Sequence, residues 1–169
     1  MLIQEKIGHI SSYAMEGKEI DHLALEWYET GKRIMRKHTR GGRELALRFL
    51  KESPSLTEGD VLYADDKLII AIAILPCEAM VIRMGSFQVV ASACYEIGNR
   101  HLPLFIEGDM LLAPFEEPLY RWLLAGGYAV SREERKLLYP LRSTVPGHAH
   151  ADAGSSLFSK IMQITHPRT

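Results

Sequence analysis

The stretch Phe87-Gln88-Val89-Val90-Ala91-Ser92-Ala93-Cys94-Tyr95-Glu96-Ile97, followed by Gly98-Asn99-Arg100-His101, decides the fold of the second half of the chain. Its apolar residues recur at intervals of three and four, which gives a helix one buried face. The positions predicted to be buried are Phe87, Val90, Ala91, Cys94 and Ile97. Ser86 is a candidate N-cap, and Gly98 or Asn99 can end the helix in the left-handed conformation.

Strand patterns lie on both sides of this helix. Residues 78–84 are predicted to form a strand before it. Residues 102–106 and 110–113 are predicted to form two more strands, joined by the turn Glu107-Gly108-Asp109. A final strand is expected near residues 128–130.

A second helix is predicted between the last two of these strands. Glu116, Glu117 and Pro118 suit a first helical turn, and Gly126-Gly127 ends the helix. Its apolar face is predicted to contain Leu119, Trp122 and Leu123. The complete order is βαββαβ, the arrangement of the ferredoxin-like fold.

The first half of the chain shows the two-residue period of half-buried strands. Leu23, Leu25 and Trp27 alternate with other residues, as do Leu45, Leu47 and Phe49. Thr39-Arg40-Gly41-Gly42-Arg43 is a hairpin signal, since paired glycines accept the positive φ of tight turns. Further strands are predicted at 61–64 and from residue 68, so this half is expected to be a curled sheet or barrel.

These patterns predict an α+β protein in three parts. Residues 1–75 form a small all-β N-terminal domain, and Pro76 marks its boundary. Residues 76–145 form the ferredoxin-like domain. Residues 146–169 are expected to be a flexible C-terminal tail that contains histidines.

Composition limits the possible functions. A formal net charge of −1 over 169 residues gives no basic footprint for nucleic acid. The apolar run at 68–75 is far shorter than the ~20 residues that cross a bilayer, and no signal peptide is visible. Two cysteines without a framework fit free thiols in a reducing cytoplasm. We therefore expect no nucleic-acid or membrane partner.

Three histidines are candidate metal ligands. His148 and His150, at spacing i and i+2 in an extended segment, have side chains on the same side of the backbone and suit Ni²⁺, Zn²⁺ or Cu²⁺. An unstructured tail with two incidental histidines is the alternative. His101 alone is more often a packed or capping residue, but a two-fold dimer with His101 near its axis presents two imidazoles at once.

Catalytic signatures are absent from the sequence. There is no nucleophile elbow, phosphate-binding glycine loop or His-Glu-x-x-His motif. A zinc hydrolase needs three fixed ligands and a nearby base, which no regular element supplies. We expect a protein that is not an enzyme.

Several segments resemble the UreE family of nickel-binding urease accessory proteins. The heptapeptide Tyr95-Glu96-Ile97-Gly98-Asn99-Arg100-His101 looks like the family signature. Thr39-Arg40-x-Gly42-x-Glu44-Leu45-Ala46 and Glu58-Gly59-Asp60-Val61-Leu62-Tyr63 are similar to family blocks, and so is Leu25-Glu26-Trp27 followed by Lys32-Arg33-Ile34. The order of the blocks also matches, over roughly residues 1 to 150.

The resemblance implies a cytoplasmic homodimer, joined through its ferredoxin-like domains, that delivers Ni²⁺ to the urease active site. It implies the accessory GTPase and the apo-urease complex as partners. The family ligands correspond to His101 and, through Gly147-His148-Ala149-His150, to His148, His150 or both. Many members continue into a polyhistidine tail, whereas this chain continues as Ala151-Asp152-Ala153-Gly154, so few ions per dimer are expected.

The leading hypothesis is thus a nickel metallochaperone for urease maturation. The alternative is a protein-interaction scaffold of the urease assembly complex, whose β domain binds a partner while metal binding is incidental. A small metallohydrolase is the least favoured, because no general base is identifiable.

Overall fold

The computed structural model describes residues 1–50 and 54–141. Within them the chain is α+β, as predicted: an all-β N-terminal part precedes a sheet that carries two helices. The expected tail at residues 146–169 lies outside the described residues.

The N-terminal part is built from seven strands in two sheets. The strands are β1 (Leu2–Ile3), β2 (Gly8–His9), β3 (Glu19–Leu25), β4 (Ile34–His38), β5 (Glu44–Arg48), β6 (Asp60–Ala64) and β7 (Leu68–Ile74). One sheet has the order β1-β5-β4 and the other β2-β6-β7-β3. The β1–β5 and β3–β7 pairs are parallel, and the other pairs in these two sheets are antiparallel.

One apolar core joins the two sheets. Alternate side chains of β3 and β5 are buried, as the two-residue period predicts, and they pack with residues of β6 and β7. The architecture is therefore a pair of packed sheets, whereas a single curled sheet or a barrel was expected. Trp27 also departs from the prediction, because the strand stops at Leu25. Glu26 and Glu29 cap a 3-10 turn at Trp27–Glu29.

The C-terminal part has the predicted βαββαβ order. Its elements are β8 (Cys77–Arg83), α1 (Phe87–Asn99), β9 (Phe105–Glu107), β10 (Met110–Pro114), α2 (Glu117–Ala125) and β11 (Val130–Arg135). The antiparallel sheet has the order β11-β8-β10-β9. One sheet face packs on the buried sides of both helices, through residues that include Met80, Ala93 and Leu119.

The predicted helix faces need correction. In α1, Ile97 is fully buried and Val90 and Cys94 pack against the core, as predicted. Phe87 is 88 % exposed and Ala91 is exposed, whereas Ala93, which was not predicted, is fully buried. The buried face of α1 is thus rotated by about a fifth of a turn from the predicted one, since each residue advances ~100°. In α2, Leu119 and Leu123 are buried but Trp122 is 40 % exposed. Spacing alone cannot separate two adjacent apolar faces.

The last strand also differs from its prediction. It covers Val130–Arg135 rather than residues 128–130, because Tyr128 packs against the helical core before the strand starts. The charged residues of β11 are tolerated because the strand forms one edge of the sheet.

The other face of this sheet contacts the N-terminal part. Trp27 lies edge-on to Phe105, with 6.2 Å between ring centroids. Leu137 packs in the core beneath the sheet, and the next residue, Leu138, packs against the N-terminal core. Lys136 donates to Glu58 at 2.8 Å. Apolar and charged contacts therefore connect the two parts.

Candidate metal-binding site

The end of helix α1 holds His101 in an uncommon backbone conformation. Arg100 has a negative φ, and His101 follows at φ +56° in the left-handed region. The N–H of His101 donates to the carbonyl of Gly98 at 2.9 Å, and that of Leu102 donates to the carbonyl of Ile97 at 3.2 Å. These two bonds form a Schellman motif.

The structure therefore corrects the predicted helix end. Gly98 and Asn99 remain within α1, and His101 is the residue that turns left-handed. The other helix ends with a glycine in this conformation, since Gly127 has φ +74° and lies at the equivalent point after α2. A side chain in this region raises the energy by roughly 1–2 kcal/mol. A histidine at a position that favours glycine points to a role beyond ending the helix.

Neighbouring contacts fix the position of this turn. Leu102 and Ile97 belong to the same apolar core, so the residue after His101 is anchored. Arg100 forms an ion pair with Glu116 at 3.4 Å, and Glu116 also accepts the N–H of Leu119 at the start of α2. His101 itself is exposed to solvent. The turn thus presents an imidazole outward from a constrained backbone.

No complete metal site is present within residues 1–50 and 54–141. No three histidine, cysteine or acidic side chains there are close enough to hold an ion. His9 hydrogen-bonds Ser11 and the carbonyl of Glu58. His148 and His150 lie outside the described residues. The described part therefore contributes one candidate ligand, His101.

The last described residues lie beside the His101 segment. The N–H of Leu141 donates to the carbonyl of Leu104 at 2.7 Å, and Pro140 bridges to Phe105. Leu104 is three residues from His101, a span of at most ~11 Å, and the seven residues from Leu141 to His148 can extend ~25 Å. Chain length therefore allows His148 to reach His101 of the same protomer, which the sequence pattern could not establish.

The two cysteines are poor ligand candidates. Both are half-buried, Cys77 on β8 and Cys94 on α1. Burial raises the pKa of the Cys77 thiol, and the charge of Glu26 adds to this; burial alone raises that of Cys94. A raised pKa disfavours the thiolate that binds metal.

An apolar surface on α1 faces solvent. Phe87 is 88 % exposed and Tyr95 is 68 % exposed, with exposed Ala91 between them. Their spacing of four residues places them on one side of the helix, which leads towards the end that carries His101. Exposed aromatic residues in a row are typical of an interaction surface.

None of the helices in the described ranges is both long and apolar enough to cross a membrane.

Family models match both parts of the chain. The model described as the UreE urease accessory protein, N-terminal domain, matches residues 3–75. The model of the C-terminal domain of the same protein matches residues 78–156.

Individual relatives agree with these models. A urease accessory protein UreE from Flavobacterium johnsoniae is 44 % identical over 164 residues, which is 97 % of this chain and 99 % of the relative. One from Haemophilus influenzae strain PittGG is 41 % identical over 87 % of this chain and 82 % of the relative. One from Acetivibrio thermocellus is 34 % identical over 89 % and 98 % respectively.

Proposed function

The chain belongs to the UreE urease accessory protein family, and from this premise we propose that it is a nickel-binding metallochaperone. It delivers Ni²⁺ for maturation of the urease active site. The observation that carries the proposal is His101, an exposed imidazole held in a left-handed turn where glycine is easier to accommodate. A cost in backbone energy at an exposed side chain fits a binding role.

The site is shared between two copies of the chain. His101 cannot hold an ion alone, since the described residues place no second and third ligand beside it. The apolar surface of Phe87, Ala91 and Tyr95 supports a homodimer, because a second copy would cover it. A two-fold axis near the end of α1 brings two His101 imidazoles to one ion.

His148, His150 or both complete the coordination. The anchor of Leu141 on Leu104 starts the C-terminal segment next to His101 and keeps the tail histidines within reach. Histidine nitrogens bind Zn²⁺ and Cu²⁺ as well as Ni²⁺, so these ions occupy the same site when available. A site closed by a tail can open, which suits an ion that is cargo.

Release of the cargo requires recipients. We place the protein in the cytoplasm with the urease accessory GTPase, apo-urease and its other accessory proteins as partners. The protein carries the ion and is not itself an enzyme.

Equilibrium dialysis of the full chain with metal analysis tests the proposal. We expect about one tightly bound Ni²⁺ per dimer, lost in His101→Ala and weakened in a His148→Ala/His150→Ala variant. His9→Ala is the matched control, because His9 hydrogen-bonds on the surface of the N-terminal part. Nickel content unchanged in His101→Ala would sink the proposed site.

Delivery needs a separate test. Cells that carry a urease gene cluster and this chain are grown in limiting nickel, and urease activity is measured. His101→Ala should lower the activity, and added nickel should restore it by mass action. Equal urease activity in limiting nickel for cells with the wild-type chain and cells with His101→Ala would contradict the delivery role.

A further inference from the structure

Strand β4 forms an open edge of the sheet β1-β5-β4. The N–H of Phe49 donates to the carbonyl of Arg33, and the N–H of Thr39 donates to the carbonyl of Arg43. The backbone groups of the odd-numbered residues of β4 therefore point towards β5. The N–H and C=O groups of Ile34, Arg36 and His38 point the other way. The described residues provide no hydrogen-bond partner for them.

The side chains of the same three residues lie on the outer, solvent-facing surface of the sheet. Ile34 is 73 % exposed, and Arg36 and His38 are exposed too. Arg36 pairs in register with Ala46, which pairs with Leu2, itself 58 % exposed. This row places exposed apolar surface beside an arginine, with the small Ala46 side chain between them.

Arginines without an ion pair concentrate around this strand. In the described part of the chain, five arginines form no salt bridge, and four of them lie on β4, beside it or on β5. These four are Arg33, Arg36, Arg40 and Arg48, and the fifth is Arg83. The one acidic side chain on the outer face of β4 and β5 is Glu44, opposite His38. The edge therefore carries positive charge that no salt bridge within the described residues neutralises.

Edge protection alone does not explain this combination. Charged residues on an open edge prevent it from pairing with other chains. A largely exposed isoleucine among them has the opposite effect, because exposed apolar surface favours association. Pairing with a second β4 is disfavoured, because it brings like-charged arginines together. A strand that carries carboxylates can form ion pairs with the arginines and hydrogen bonds with the unpaired backbone groups of β4.

We propose that β4 docks an extended, acidic segment of another protein, which adds to the sheet as a further strand. Main-chain hydrogen bonds to Ile34, Arg36 and His38 supply pairing, and carboxylates on alternate residues meet Arg36 and Arg48. The docked strand also covers the exposed side chain of Ile34. This surface lies on the N-terminal part and needs neither His101 nor a metal.

Fluorescence anisotropy with a labelled peptide of alternating glutamate and valine tests the surface. We expect the full chain to bind it, and Arg36→Glu to weaken binding by about tenfold or more, since rim charge reversal repels the ligand. Arg83→Glu is the matched control, because Arg83 is likewise exposed and without an ion pair but lies on β8. Equal weakening by both variants, or no binding by the wild type, overturns the proposal.

A backbone test separates strand addition from charge attraction. His38→Pro removes an outward N–H while leaving the β4–β5 bonds in place, as proline allows on edge strands. The substitution should weaken peptide binding several-fold. In the wild type, the bound peptide should slow the hydrogen exchange of the backbone amides of Ile34 and Arg36. Unchanged affinity in His38→Pro, or equal binding of polyglutamate, overturns strand addition. Nickel content measured on the same samples reports on the carrier role independently.

Discussion

His101 combines two demands at one residue. The Schellman motif requires a left-handed residue at the end of α1, and the proposed ligand role requires an imidazole there. Glycine satisfies the first demand better, whereas only histidine satisfies the second. A conflict between stability and function therefore exists at this single position.

The conflict predicts opposite effects of one substitution. His101→Gly should raise the free energy of unfolding by about 1 kcal/mol, because the left-handed strain is removed, and should abolish tight nickel binding. Urea denaturation and metal analysis measure the two effects. Gly127→Ala is the control. A methyl group at this position meets no other atom, so the substitution should destabilise the protein only through its left-handed backbone, by about 1 kcal/mol. A less stable His101→Gly protein would contradict the assignment of strain.

Asp21 is a second residue with a measurable effect. It is buried and accepts hydrogen bonds from Thr39 at 2.5 Å, Arg43 at 2.7 Å and the N–H of Gly41 at 2.9 Å. Burial alone raises the pKa of this carboxyl, but these bonds and that from His22 outweigh it and lower the pKa to about 2. The carboxylate thereby ties the β4–β5 hairpin to β3 of the other sheet.

The lowered pKa sets the sign of the pH dependence. The ionised form stabilises the fold above the unfolded value of 3.8, and this stabilisation is lost as pH falls towards 2. The shift corresponds to about 2 kcal/mol. Asp21→Asn should lose about this amount at pH 7 in urea denaturation, with the difference from wild type shrinking below pH 4. A difference that is constant from pH 7 to pH 3 would count against the ionic role.

At the scale of elements, helix α1 has two apolar sides. One packs on the sheet through Ala93 and Ile97, and the other carries exposed Phe87 and Tyr95. A helix that is apolar on two sides is normally covered on both. The second side is therefore the surface on which the proposed dimer depends.

Polar substitution of that side tests its role. Phe87→Ser/Tyr95→Ser should shift the protein to a monomer in sedimentation velocity, because the apolar area buried by association is lost. Nickel binding should weaken in parallel, since one His101 remains per particle. Tyr28→Ser removes a 57 % exposed aromatic side chain from the N-terminal part and should leave the mass of the particle unchanged. A dimeric double variant would refute this interface.

Elements were predictable where a local signal determines them. Paired glycines predicted the β4–β5 hairpin, and Ser86 does accept the N–H of Val89 at the start of α1. The parallel β1–β5 pair was missed, since its partners are distant in sequence and the strand has two residues. The buried face of α1 was wrongly extended to Phe87 and Ala91, because the two apolar sides of the helix give one continuous pattern.

The candidate site was predictable only in part. The sequence pattern and the family resemblance selected His101, but neither indicated its left-handed backbone, which depends on the bonds to Gly98 and Ile97. The anchor of Leu141 on Leu104 is equally a tertiary contact. The ligand roles of His101, His148 and His150 stay predictions that the metal analyses test.

At the scale of the whole molecule, Trp27 connects the two parts. It contacts Phe105 and belongs to the core beneath the C-terminal sheet, although it follows a strand of the N-terminal part. A large aromatic side chain at such a junction contributes to the stability of both neighbours.

Removal of this side chain should separate the unfolding of the two parts. Trp27→Ala is expected to lose about 2–3 kcal/mol and to replace one urea transition by two, because it removes the indole that packs against Phe105 across the junction. Circular dichroism and tyrosine fluorescence follow the transitions. Tyr28→Ala should change stability by less than about 1 kcal/mol, since Tyr28 is mostly exposed. A single transition in Trp27→Ala would show that the parts are coupled elsewhere.

The parallel pairing of β3 with β7 has a consequence for the order in which the chain folds. Glu19 pairs with Leu68, a separation of 68 − 19 = 49 residues, and no tight turn can shorten that path. Contacts so distant in sequence form slowly, because the intervening loop must be closed first. During synthesis the early strands must wait, with apolar faces uncovered, until β7 leaves the ribosome. Nascent chains are therefore exposed to aggregation through these early strands until β7 has emerged, and a holding chaperone would act on them in that interval.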